Sequence, residues 1–161
     1  MAETALSKKT ASVVIVEDYK LTRVGLKSTL NEYENINVIG EAEDAEQGID
    51  LILKLKPDVV LMDLGLPGIN GLEATLRLKE RGSTSKIIIL TSHERAEEVI
   101  AALGAGANAY CLKDISPETL SGVIKNVSEG ACWVDAGVAE AALSFFPKPE
   151  NVSLIQSTNV Q

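Results

Sequence analysis

The chain lacks most of what could hold a small protein together from outside its core. It has only two cysteines, Cys111 and Cys132, at no metal-binding or redox spacing, so a disulfide framework is excluded and a reducing compartment is expected. Aromatic residues make up 4% of the chain, which leaves the interior to aliphatic side chains. Basic residues are short too, 15 against 23 acidic, for a net charge of −8. That balance argues against nucleic acid or an anionic membrane as a direct partner, because binding phosphate takes clustered Lys and Arg. No apolar stretch approaches the roughly 18 residues of a membrane span, and Met1–Ala11 has no signal-peptide apolar region. The expectation is a soluble, cytoplasmic chain. Its 161 residues, 45% of them hydrophobic, predict one domain of roughly 100–150 residues plus some tail. A domain of that size buries about 68–70% of its unfolded surface and needs no staple.

Four short apolar runs stand out: Ser12–Val16, Val59–Met62, Lys86–Leu90 and Ala109–Leu112, with a weaker one at Ile36–Gly40. They are continuous rather than alternating, as in a parallel sheet covered on both faces. Segments of helical period lie between them: Ala45, Ile49, Ile52 and Leu53, and again Leu120, Val123, Ile124 and Val127. Asp44 with Gln47, and Asn70 with Glu73, read as helix caps with reciprocal partners. Ser116-Pro117 reads as a cap with proline in the first turn, and Gly130 as a stop. Strand and helix thus alternate five times between Ser12 and Gly130, which predicts a doubly wound α/β sheet. Asp135 to Phe145 adds a short further helix. After Phe146, the Pro-Lys-Pro segment and the Ser/Gln/Asn/Thr-rich end read as an exposed linker. The expected organisation is a polar lead over 1–11, a globular unit over 12–131, and a linker helix with flexible tail over 132–161.

In open parallel sheets, ligands bind beyond the carboxyl ends of the strands. The residues that follow the runs are therefore the informative ones: Glu17 and Asp18, Asp63, Thr91 and Ser92, and Lys113. Three carboxylates, a hydroxyl and an ammonium are expected to converge at one edge. Clustered like charges in a partly dry crevice require a proton or a cation. Lys113 offsets one charge of three, and an all-oxygen site with open positions suits Mg²⁺. The free metal positions suit phosphoryl oxygens, with Lys113 pairing another oxygen and Thr91 donating to a third. Asp63 is the best nucleophile, since an aspartate can attack phosphorus and Met62-Asp63-Leu64-Gly65-Leu66-Pro67-Gly68 places it where a buried strand breaks into a loop. Each residue alone is more often a cap or a solvated charge. Their joint placement after four strands is the signal.

These residues resemble the receiver domain of two-component response regulators. The resemblance covers about Ser12 to Gly130 and includes Glu17-Asp18, the Asp63-to-Gly71 loop, Thr91-Ser92, and Lys113 preceded by Tyr110. It implies a flavodoxin-like five-stranded parallel sheet of order 2-1-3-4-5 with five helices, plus a C-terminal linker helix. It also implies that Asp63 accepts phosphoryl from a sensor histidine kinase or a phosphotransfer protein. Mg²⁺ would be held by Asp18, Asp63 and the Gly65 backbone carbonyl, with Glu17 acting through water. Lys113 would hold a phosphate oxygen, and Thr91 and Tyr110 would move on activation. Gly65 and His93 stand where such proteins tune dephosphorylation. Many receivers have proline after the lysine, whereas Asp114 stands here. Lys113-Asp114, the helix to Gly130 and Cys132-Trp133-Val134-Asp135 resemble the NarL/FixJ subfamily, whose receivers precede a LuxR-type helix-turn-helix domain. That implies DNA contact only through an output domain outside this chain, dimerisation on phosphorylation, and a switch rather than a turnover enzyme.

Rival readings are an aspartate-nucleophile phosphatase, a flavin-binding module, and a stand-alone receiver or pseudo-receiver acting through protein contacts alone. The phosphatase pattern needs a second aspartate where Gly65 stands, and no phosphate loop for a flavin is evident. Gly104-Ala-Gly106-Ala-Asn-Ala109 imitates a dinucleotide fingerprint but runs from helix to strand, so it reads as a helix end and turn. Cys111 reads as a small buried hydrophobe, and Trp133 as packing against the last helices.

Overall fold

The computed structural model describes residues 9–93 and 95–143. The expected N-terminal lead and the tail beyond Leu143 fall almost wholly outside them. Six strands and six helices alternate among the described residues: β1 (Ala11–Val16), α1 (Lys20–Leu30), β2 (Ile36–Ala42), α2 (Ala45–Leu55), β3 (Val59–Asp63), α3 (Gly71–Glu80), β4 (Lys86–Thr91), α4 (Ala96–Gly104), β5 (Ala109–Leu112), α5 (Pro117–Ser128), β6 (Trp133–Val134) and α6 (Ala136–Leu143). The strands form one sheet of order β2-β1-β3-β4-β5-β6, and every pairing is parallel.

Side chains alternate across each strand, so the sheet separates two cores. Val14, Val16, Val60, Met62, Ile87, Ile89 and Tyr110 pack with α2, α3 and α4 on one face. Val13, Ile15, Val59, Leu61, Ile88, Leu90 and Cys111 pack with α1 and α5 on the other. The four continuous runs are the central strands, buried on both faces. β2 alternates buried and exposed residues, as an edge strand does, which is why its run was weak.

The expected caps form. Asp44 accepts from Gln47 N–H at 2.8 Å and Asn70 from Glu73 N–H at 2.9 Å. Glu73 does not return the bond as a reciprocal cap would; its carboxylate runs along the helix to Arg77 at 3.2 Å. Ser116 caps α5 through Thr119 N–H, with Pro117 in the first turn. The imitation fingerprint is the end of α4, with Gly106 at φ +108° making the turn into β5.

The expected sheet is present with one strand added. After Gly130, also at φ +108°, Trp133 and Val134 pair with Ala109 and Tyr110. Trp133 therefore lies on an edge strand and packs over the α1–α5 core. Asp135 secures this addition: its carboxylate accepts from Leu112 N–H at 2.8 Å and from the Trp133 indole at 3.2 Å. The helix it opens, α6, packs against α4.

Candidate phosphoacceptor site

All strands point the same way, so the carboxyl ends of β1, β3, β4 and β5 form one edge. Asp63 and Thr91 are the last residues of their strands rather than the first beyond them, while Glu17 and Lys113 lie just past theirs. One carboxylate oxygen each from Glu17, Asp18 and Asp63 lies within 4.8 Å of the others. The Lys113 ammonium sits 2.8 Å from Glu17 Oε1 and 3.2 Å from Asp63 Oδ1. Glu17 and Asp63 are buried and Asp18 is exposed. A mostly apolar cavity of about 230 Å³ between α1 and α5 adjoins the cluster.

That setting dictates the protonation. Burial, then the adjacent Asp63 carboxylate, pushes the Glu17 carboxyl up to about 7 despite Lys113. Burial acts in the same direction on Asp63, but the adjacent Glu17 carboxyl and the Lys113 charge outweigh it and hold Asp63 below the usual carboxylate range. Lys113 stays charged, because its two carboxylate partners more than offset its burial. The two carboxyls are thus driven apart, the neutral form favoured at Glu17 and the anion at Asp63. Glu17 Oε2 is buried with no hydrogen-bond partner, a costly arrangement that a bound cation would relieve.

The loop beyond Asp63 packs closely on that residue. Gly65 N–H donates to Asp63 Oδ1 at 3.3 Å. A methyl group at Gly65 would meet nothing within 4 Å, whereas one at Gly71 would collide with the Asp63 carbonyl and approach the Leu64 Cα to 3.0 Å. Gly71 N–H donates to the Leu64 carbonyl at 2.9 Å, so the start of α3 is pressed against the backbone of Asp63 and Leu64.

Of the expected site residues, Glu17, Asp18, Asp63 and Lys113 are brought together. Thr91 and Tyr110 belong to the opposite face of the sheet. Thr91 is buried, and its hydroxyl accepts from His93 N–H at 3.2 Å, while its backbone carbonyl accepts from Lys113 N–H at 2.8 Å. Tyr110 is fully buried, its hydroxyl 3.4 Å from both the His93 carbonyl and Glu98 Oε2. Burial and the Glu98 charge push its phenol up to about 12. The His93 side chain is exposed at the rim. Sequence reasoning missed Arg23, whose guanidinium is buried behind Glu17 and donates to the Glu17 backbone carbonyl at 2.7 Å. A lone arginine on an amphipathic helix carries no signal that separates it from a solvated charge.

Comparison with known proteins agrees with this geometry. Residues 13–125 match the response regulator receiver domain family. The nitrate/nitrite response regulator NarL of Escherichia coli is 36% identical over 124 residues, 77% of this chain and 57% of that protein. The transcriptional regulatory protein LiaR of Bacillus subtilis is 37% identical over 132 residues, 82% of this chain and 63% of that protein. The chain thus spans about three fifths of these relatives' length. Among solved structures, a LuxR-family two-component response regulator from Aurantimonas superposes with a TM-score of 0.80 at 29% identity, covering 84% of this chain and 97% of that one. The signal receiver domain of the putative response regulator NarL from Mycobacterium tuberculosis gives 0.74 at 27% identity, covering 76% and 98%. The chain belongs to the response regulator receiver family, among the NarL/LuxR-type regulators of two-component systems.

Proposed function

We propose that this receiver accepts a phosphoryl group on Asp63 from a sensor histidine kinase or phosphotransfer protein, with Mg²⁺, and thereby switches a DNA-binding output domain. The observation that carries this reading is the charge arrangement: an ionised Asp63 beside Lys113 at 3.2 Å, in a trio of carboxylates with an unpartnered buried oxygen. The donor set is all oxygen, two of the three carboxylates sit on the β1 and β3 ends, and one ammonium is too little charge to balance them. Asp18, Asp63 and the Gly65 carbonyl would hold Mg²⁺, with Glu17 behind them. When bound, the ion supplies charge neutralisation to phosphoryl oxygens.

The chain's own residues do the rest. An Asp63 carboxylate oxygen attacks phosphorus, the bond from phosphorus to the donor's imidazole nitrogen breaks, and that nitrogen leaves with the electron pair. Lys113 shifts from the carboxylates to a phosphoryl oxygen. The product carries roughly −1.5 to −2 charges and three acceptor oxygens. Thr91 then has a better acceptor for its hydroxyl proton, and moving to it releases His93 N–H. Positioning and electrostatics carry the transfer, with no general base required on the acceptor. The chain acts as a switch with slow reversal, its receiver unit running over 12–131 and its linker leading on from 132. In this reading Gly65 and His93, two residues past Asp63 and Thr91, tune the lifetime of the phosphoryl group.

The test is intact mass after incubation with acetyl phosphate and Mg²⁺. The native chain is expected to gain one phosphoryl group and Asp63→Asn none, with chelator abolishing the gain. No gain in the native chain would overturn the reading in favour of a pseudo-receiver.

A further inference from the structure

We propose that Arg23 is a positioning residue for the cation-binding turn, holding the Glu17–Asp18 peptide in the orientation that presents Asp18 and Glu17 to a divalent ion. This rests on the Mg²⁺ reading above.

Arg23 lies in the first turn of α1 and is only 8% exposed. A buried guanidinium is costly unless its donors are satisfied, so its partners show what it is for. Nη1 donates to the Glu17 backbone carbonyl at 2.7 Å, a short charge-assisted bond. Nε donates to Glu41 Oε1 at 3.3 Å on β2, and Lys27 holds the other oxygen of Glu41 at 3.3 Å. The opposite side of the same residue is held as well, since Glu17 N–H donates to the Ala42 carbonyl at 3.0 Å. Glu17 is thus clamped through both backbone polar groups just where β1 ends.

The turn that follows has little support of its own. Asp18 is exposed, and Tyr19, the N-cap of α1, makes no side-chain cap hydrogen bond. The guanidinium holds the turn from its other side, donating to the Glu17 carbonyl after β1 and to Glu41 on β2 from its place on α1. A lysine cannot replace it, because a single nitrogen on a flexible stem does not reproduce a two-point planar contact. Among the described residues, Arg23 forms its ion pair with Glu41 and with none of the three site carboxylates.

Electrostatics and positioning predict opposite signs here. A positive charge beside a cation site repels the cation, so a purely electrostatic role makes Arg23→Met bind divalent ions more tightly. Loss of positioning makes it bind more weakly, by about 10-fold to 100-fold for an outer partner of a ligand.

The experiment is a Mn²⁺ titration of the full chain read by the free-ion electron paramagnetic resonance signal, for the native chain, Arg23→Met and Arg23→Lys. Both variants are expected to bind at least 10-fold more weakly. In the acetyl phosphate reaction, the Mg²⁺ concentration for half-maximal rate should rise by more than the rate at saturating Mg²⁺ falls. Arg23→Lys keeps the charge and stands in should Arg23→Met not fold. Native or tighter Mn²⁺ binding by Arg23→Met overturns the proposal, as does native affinity in Arg23→Lys, which would make charge alone sufficient. A native chain that binds no Mn²⁺ would overturn the metal reading itself, an outcome distinct from either variant matching a native chain that does bind.

Discussion

Single residues here differ chiefly in what burial does to their charge. Glu17 and Asp63 are neighbouring carboxyls pushed in opposite directions, because burial favours the neutral form at Glu17 while its neighbour and Lys113 favour the anion at Asp63. Cys111 shows the same force without a partner. Burial, with some help from the Asp135 charge, pushes its thiol up to about 12, whereas Cys132 is exposed. One thiol is therefore expected to react with an aromatic disulfide reagent in the native protein and two after unfolding. Two fast-reacting thiols would show that β5 opens readily. The linkage runs toward instability at high pH. In the unfolded chain Cys111 ionises near 9 and Tyr110 near 10, whereas both keep their protons to about 12 in the fold. Between those limits the native state binds more protons, so stability falls as pH rises, by at most about 1.4 kcal/mol per pH unit for each group. Urea midpoints should drop between pH 9 and 11, and Cys111→Val should flatten part of that slope.

At the scale of elements, two contacts tie the site to what surrounds it. The start of α3 presses Gly71 against the Asp63 carbonyl with no room for a methyl group. Gly71→Ala is expected to cost about 1–3 kcal/mol by overpacking, despite alanine's better helix propensity, and to slow phosphorylation by displacing Asp63. A urea melt and a mass-detected time course check this, and an unchanged melt would mean that α3 slides freely. The second contact is Asp135, which links β5, β6 and α6 through Leu112 N–H and the Trp133 indole. It sits beside Lys113 in the chain order of the sheet edge, and α6 lies on α4, the helix behind the Thr91 loop. Asp135→Ala should leave Leu112 N–H without its acceptor, at a cost of about 1–3 kcal/mol. Hydrogen exchange should then quicken across 133–143 while β1 and β3 stay protected. Unchanged protection of α6 would show that packing on α4 alone retains it.

The whole molecule is a sheet with its chemistry at one edge, and its response must be global to matter. Moving a two-state switch from 1:99 to 99:1 takes roughly 5.5 kcal/mol, more than one hydrogen bond at Thr91 supplies. The proposed switch therefore calls for Lys113, Thr91 and the α4–α6 packing to shift together. Sedimentation of the chain with acetyl phosphate and Mg²⁺ is expected to show a dimer that Asp63→Asn does not form, and a monomer in both would confine the switch to contacts with other proteins. Much of this was legible in the amino-acid order. Continuous apolar runs separated by capped helical segments dictate parallel strands, because only a sheet covered on both faces buries such runs. Parallel strands put all carboxyl ends on one edge, so Glu17, Asp18, Asp63, Thr91 and Lys113 could be read as neighbours. Tertiary structure alone decided which of them meet. Strand parity sends Glu17, Asp63 and Lys113 to the α1–α5 side, and Thr91 and Tyr110 to the other. A two-residue strand such as β6 has no period to read, and is set by pairing with β5 and by the Asp135 carboxylate. Arg23 points inward because the Glu17 carbonyl and Glu41 wait there, a long-range match that no local pattern encodes.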